Sequence, residues 1–162
     1  MKMFNKIIMA SEDEVNMLKD CYFQDATGKD AEVEDGALVS ICEPRQHDLY
    51  ANMKDLNARN CKAFTANEPI YGFVDYVGVS HADVMGVNYR VGNKIAGTFP
   101  IAGEGTRVRM LALGDEFYLC DGNIDGTPDL ANQYLIPQEG KTTMAIDSSK
   151  AASGLCLKVE DN

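Results

Sequence analysis

The stretch Ile70-Tyr-Gly-Phe-Val-Asp-Tyr-Val-Gly-Val79 decides the fold class. Seven of its ten residues are aromatic or β-branched, the side chains that fit a pleated, half-buried surface. Downstream, Val108, Met110 and Ala112 alternate with Arg107 and Arg109, and Val87, Tyr89 and Val91 alternate with Asn88 and Arg90. A period of two is the mark of a strand with one face buried. Gly92-Asn93 reads as a two-residue hairpin turn before Lys94-Ile95. Upstream, the turn signal Asp35-Gly36 precedes a strand over Ala37–Cys42. Phe117–Cys120, Tyr134–Ile136, Thr142–Ile146 and Leu155–Val159 read as further short strands. Turn residues recur about every 8–12 positions, the spacing of a sandwich or barrel. The expected architecture is mainly β: a single small β-barrel or sandwich domain, with an N-terminal arm and at most one or two short helices. Val74, Val77, Val79, Val108, Met110 and Phe117 are its expected core.

The first 30 residues do not share this pattern. Ser11 and Glu14 have capping-box spacing, and Val15, Leu18 and Tyr22 fall near one helical face. Residues 1–30 are therefore read as an N-terminal arm or short helix, and residues 31–162 as the β-rich domain. His47–Asn60 is ambiguous: Leu49, Met53 and Leu56 suit a helix, whereas Asn52, Asn57 and Asn60 suit a loop or irregular strand. Ser80–Met85 is compatible with one helical turn.

Composition narrows the function. The chain has 162 residues, 45% hydrophobic and 25% charged, enough for one domain with a core of its own. Its formal charge is −10, from 25 acids and 15 bases. That sign repels phosphate, so neither nucleic acid nor an anionic membrane is an expected partner. No apolar run approaches the roughly 20 residues of a membrane helix. The apolar Ile7–Ala10 is too short for a secretory signal, which predicts a chain that is not exported. The five cysteines, at 21, 42, 61, 120 and 156, are odd in number and widely spaced, with no CxxC, so free thiols are expected.

Motifs for chemistry are sparse. Asp121-Gly-Asn123-Ile-Asp125-Gly126 matches the first half of a calcium loop, but position 12 is Asn132 where a bidentate Glu belongs. A tight turn without metal is expected there. Cys42 and His47 make half a zinc site that nothing in sequence completes, and His81 stands alone. Gly103-Glu-Gly105 precedes a strand rather than a helix and reads as a turn, not a phosphate cradle. Asp115 and Glu116 are adjacent and would face opposite sides of a strand, a poor start for a catalytic pair. No catalytic, cofactor or metal residues are assigned.

The order of several blocks resembles the head decoration proteins of tailed bacteriophages. The blocks are Glu34–Val39, Ile70–Val79, the hairpin Tyr89–Lys94, the basic strand Arg107–Met110 leading into Gly114-Asp115-Glu116-Phe117-Tyr118-Leu119, and Gly122–Asp125 with Gln133-Tyr134. They span about residues 33–147; the first 30 residues and the tail after Asp147 lie outside the resemblance. The resemblance implies a non-catalytic structural virion protein without cofactor. It would be made in the bacterial host cytoplasm and bind the major capsid protein on the capsid surface as a homo-oligomer. Two other classes remain: a β-sandwich ligand- or carbohydrate-binding module, weakened by zero Trp and seven scattered Tyr, and a small hydrolase using Cys/His or a metal.

Overall fold

The structure, a computed structural model, describes residues 8–11, 18–46, 53–77, 83–84, 87–88, 102–103, 105–127, 134–149 and 154–160. In chain order the strands are β1 (Ile8–Ser11), β2 (Leu18–Gln24), β3 (Leu38–Gln46), β4 (Lys54–Ala63), β5 (Tyr71–Val77), β6 (Asp83–Val84), β7 (Val87–Asn88), β8 (Gly105–Met110), β9 (Glu116–Tyr118), β10 (Ile124–Asp125), β11 (Tyr134–Pro137), β12 (Met144–Asp147) and β13 (Leu157–Lys158). One 3₁₀ turn, Asp121–Asn123, is the helical element among the described residues. The fold is mainly β, as the alternation predicts.

Its centre is a closed barrel in the order β2-β4-β3-β5-β8, with β8 returning to pair with β2. Closure leaves no ladder edge in the barrel itself. The β2–β4 pair is parallel and the other four are antiparallel. Inward-facing Cys21, Val39, Ile41, Cys61, Val74 and Val108 fill the interior. Arg107 and Arg109 alternate outward from Val108, and each meets a carboxylate: Arg107 Nε lies 3.5 Å from Asp20 Oδ1, and Arg109 Nη2 donates to Asp75 Oδ2 at 3.0 Å. Asp75 sits where the β5–β8 register shifts, between Val74 and Tyr76. Pro44 lies inside β3, at a register shift against β4, where a missing N–H is tolerated.

A four-stranded sheet, β10-β12-β11-β13, covers the outer face of β3 and β5. A second core forms between them from Leu38, Phe64, Phe73, Leu135 and Met144. Backbone bonds stitch the layers: Leu38 N–H donates to the Thr142 carbonyl at 2.8 Å, and Phe64 N–H to the Lys141 carbonyl at 3.0 Å. β1 and β9 make a two-stranded ribbon, and β6 and β7 another.

Several expectations change in detail. Residues 18–24 are not arm or helix; they form β2, with Cys21 buried in the barrel. The inward residues Lys19, Cys21 and Phe23 alternate with Asp20, Tyr22 and Gln24, so the strand period was present but short. Ser11 is also strand, and 12–17 lie outside the described residues. The ambiguous 47–60 segment resolves as strand from Lys54; residues 47–52 lie outside the description. Asp83 and Val84 are strand rather than a helical turn. The strand before Gly92 is seen at Val87 and Asn88, while Tyr89–Lys94 and Val79 lie outside the described residues, as does the side chain of Val77. Val74 and Val108 are fully buried as expected. Met110 is half-buried against the barrel core, and half-buried Phe117 belongs to the second core, edge-on to Phe73 at 5.5 Å between ring centroids.

Candidate functional site

The calcium-like run does not converge its oxygens. Its 3₁₀ turn faces Asn123 inward, where Oδ1 accepts from Cys120 N–H at 2.9 Å and Nδ2 donates to the Gly36 carbonyl at 2.7 Å. Asn123 is thus a bolt between this turn and the start of β3. Asp125 points elsewhere, accepting from Lys141 Nζ at 2.9 Å and Gln138 Nε2 at 3.2 Å. Lys141 beside it holds the Asp125 carboxyl below its ordinary range. Asn123 and Asp125, two of the three side chains in the calcium-like spacing, are therefore committed to structural partners.

Two of the buried thiols, Cys42 and Cys61, are poorly suited to nucleophilic work. Cys21 and Cys61 lie fully buried in the barrel, and hydrogen bonding to Cys21 together with burial pushes the Cys61 thiol far up. Burial raises the Cys42 thiol to about 11 against the opposing pull of Lys62. A thiolate is the reactive form, so thiols tuned this way are inert at neutral pH. All five cysteines are unbridged. His47, His81 and Glu104 lie outside the described residues. Gly103 occupies a turn at φ +83°, Gly105 opens β8, Asp115 Oδ2 accepts from Ala112 N–H, and Glu116 is exposed in β9.

A groove of about 690 Å³ lies at one barrel end, between Phe23–Ala26, Lys62–Thr65 and Glu139–Thr143. Its rim mixes Lys62 and Lys141 with Asp25 and Glu139, so it favours neither ligand sign. Glu139 Oε2 already accepts from Ala66 N–H at 2.9 Å, and hydrogen bonding to the Thr65 side chain, with that to Ala66 second, holds its carboxyl below the ordinary value.

A charged cluster on the barrel exterior was missed in the sequence. Arg45, near the end of β3, forks onto Asp30 through Nη1–Oδ1 at 2.8 Å and Nη2–Oδ2 at 2.7 Å. Its guanidinium carbon stands 4.1 Å from the Tyr22 ring centroid. The three side chains pin the 25–33 loop across β2 and β3. Arg45 holds the Asp30 carboxyl below its ordinary 3.8. A depressed carboxylate stabilises the fold above its unfolded pKa and loses that contribution as pH falls through the folded value. Asp30→Asn should therefore lower the melting temperature at pH 7, by roughly 1–2 kcal/mol equivalent for a partly exposed forked pair. The gap between variant and parent should narrow as the pH falls below about 4 and toward the folded value. Thermal melts from pH 7 to pH 3 check this; a gap as wide at pH 3 as at pH 7 would show that the loss is one of packing.

The most distinctive surface feature is the turn joining β8 to β9. Asp115 N–H donates to the Ala112 carbonyl at 3.4 Å, and Ala112 N–H donates back to Asp115 Oδ2 at 2.8 Å. Gly114 supplies φ +95°, a conformation that disfavours a side chain. This double closure lifts Leu113 into water, 98% exposed, and Tyr118 nearby in sequence is 65% exposed. The available sequence signal was an apolar residue placed inside a Gly-Asp turn, where the strand alternation has already ended.

Compared with family models, curated proteins and solved structures, the chain matches none. No helix among the described residues is long and apolar enough to cross a membrane.

Proposed function

We propose that this protein is a non-catalytic structural protein of a tailed-phage virion. In this reading it is made in the host cytoplasm, binds the major capsid protein on the outer capsid surface as a homo-oligomer, and stabilises the shell. The observation that carries the reading is the order and spacing of the blocks resembling head decoration proteins. Within the described residues, four of the five blocks fall on framework elements: the turn into β3, β5, β8 with its turn and β9, and the Asn123 bolt with Tyr134 of β11; the hairpin block Tyr89–Lys94 lies outside them. Inert buried Cys42 and Cys61 and a mixed-sign groove whose charged side chains already have partners suit a binding role better than a catalytic one. The acidic surface suits a protein that must not compete for packaged DNA.

Leu113 is the contact this reading assigns to the capsid. A fully exposed leucine on a pre-closed turn loses little entropy on docking, and its burial removes a whole apolar side chain from water. The test mixes the protein with undecorated capsids built from the major capsid protein encoded beside its gene. Co-sedimentation is expected for the parent, and Leu113→Asp should weaken it at least about tenfold with an unchanged melting temperature. A gene found among metabolic genes, or a parent protein that stays in the supernatant, would remove the capsid reading.

A further inference from the structure

We infer that the groove at the barrel end is a binding site for a neutral, hydroxyl-rich ligand, a short saccharide. The parallel pairing of β2 and β4, with Gln24 opposite Lys62, brings the C-terminal ends of both strands to the same end of the barrel. The turn between β11 and β12 makes the third wall. It is fixed there by Phe64, whose N–H donates to the Lys141 carbonyl at 3.0 Å and whose carbonyl accepts from Gly140 N–H at 2.8 Å. The cleft is thus held open by backbone bonds before any ligand arrives, which lowers the ordering cost of binding. Its volume, about 690 Å³, lies within the roughly 300–1,000 Å³ of small-ligand sites. Phe64 is buried in it, and Phe23 and Ala63 are half-buried, so the apolar surface lies deep. Asp25, Glu139 and Lys141 are exposed and form the rim with Lys62.

The rim selects the ligand class. Each of its four charges is engaged. Lys62 pairs with Glu68 at 3.4 Å and Lys141 with Asp125 at 2.9 Å. Asp25 Oδ1 accepts from Thr27 and Lys29, and Glu139 Oε2 accepts from Ala66 N–H. An ionic ligand would meet both signs at one rim and gain from neither. Engagement cancels the field but does not exhaust the hydrogen bonds. An ammonium carries three donors and a carboxylate about four acceptor positions. Lys62 and Lys141 therefore keep donors, Asp25 and Glu139 keep acceptors, and the Thr142 hydroxyl on the third wall can act as either. A ligand hydroxyl is donor and acceptor in one group, the match for a rim that presents both. A wholly apolar ligand would strip water from these groups and return nothing. A pyranose ring has an apolar C–H face for the floor at Phe23 and Ala63, and hydroxyls around its edge for the rim.

The full chain is applied to a printed array that carries neutral oligosaccharides beside uronic-acid oligosaccharides. Retention is expected on neutral spots and not on the uronic-acid spots. The strongest neutral binder is then titrated in solution against the isotopically labelled protein. The amides of Ala26, Ala63, Thr65, Gly140 and Thr142 should shift together and saturate. Thr142→Val keeps the side-chain shape and removes the hydroxyl. It should bind about fivefold more weakly, the effect of one hydrogen bond, with the melting temperature of the parent. An array with no neutral binder, equal retention on uronic-acid spots, shifts gathered away from the groove, or a Thr142→Val protein that binds as the parent does would each overturn the site. Capsid co-sedimentation is read separately: a protein that binds the sugar and leaves capsids bare would defeat the capsid reading and leave this site standing.

Discussion

A chain lacking residues 1–25 is expected not to fold. The truncation removes β2, which has five residues in register with β4 and five with β8. Without it the barrel cannot close, and the interior around Cys61 and Val108 opens to water. The ladder bonds and the apolar burial are lost together, and neither neighbour can replace them: β4 and β8 flank β2 from opposite sides, a gap of two strand spacings or about 9.6 Å. The expected result is aggregation, or a soluble chain with no cooperative melt by circular dichroism. Removing only residues 1–17 spares β2 and should leave a cooperative melt while deleting β1. A well-folded protein after removal of 1–25 would show that β4 and β8 can close a smaller barrel.

The arm reading of these residues illustrates what the sequence makes legible. Long strands with one apolar face declare themselves, as β5 and β8 do through Val74, Val108 and the outward Arg107 and Arg109. β2 has the same alternation, but its inward residues are Lys19, Cys21 and Phe23, and only one of them is strongly apolar. Parallel pairing with β4 connects strands that are distant in sequence, so no local hairpin signal marks it. β4 was obscured for a related reason: its buried positions are Ala58, Asn60 and Cys61, which carry little β propensity. The division into two cores was not legible at all, because it depends on which face of β3 and β5 the second sheet covers. Phe73 and Val74 are adjacent in sequence yet belong to different cores.

At the surface, the turn over Asp121–Asn123 was legible, and its purpose was not. The Asx pattern that predicts a turn is the same whether the asparagine faces solvent or bolts two elements together, and only the position of Gly36 decides between them. The Asp30–Arg45–Tyr22 cluster joins three segments that have no periodic relation, so no spacing argument reaches it. Leu113 stands out only once the turn is seen to be closed from both sides.

Val108→Asp should unfold the protein at neutral pH. Val108 is fully buried in the barrel, and its Cγ1 would stand 2.5 Å from a Cβ built on Gly72, so β5 and β8 leave no slack at this level. A carboxylate there loses its hydration and gains no donor in exchange. Lys19 is opposite in register, but it is half-buried at the strand's outer end, and an ion pair enclosed by packed side chains recovers only part of the desolvation cost. The loss should exceed about 4–5 kcal/mol, a large share of the roughly 5–15 kcal/mol that a domain possesses. The sign of the pH dependence tests the cause. A buried aspartate has its folded pKa raised, so its penalty is least below the unfolded pKa, near 4, and grows as pH rises through the folded value. The variant should therefore recover part of its structure in mild acid, where the parent, with Asp30 and Asp125 depressed by their partners, begins to lose stability. Arg107→Gln, one residue away on the exposed face, should change stability by no more than about 1 kcal/mol. If Val108→Asp melts like the parent and Arg107→Gln does not, the faces of β8 are exchanged and the barrel interior is lined by the other set of residues.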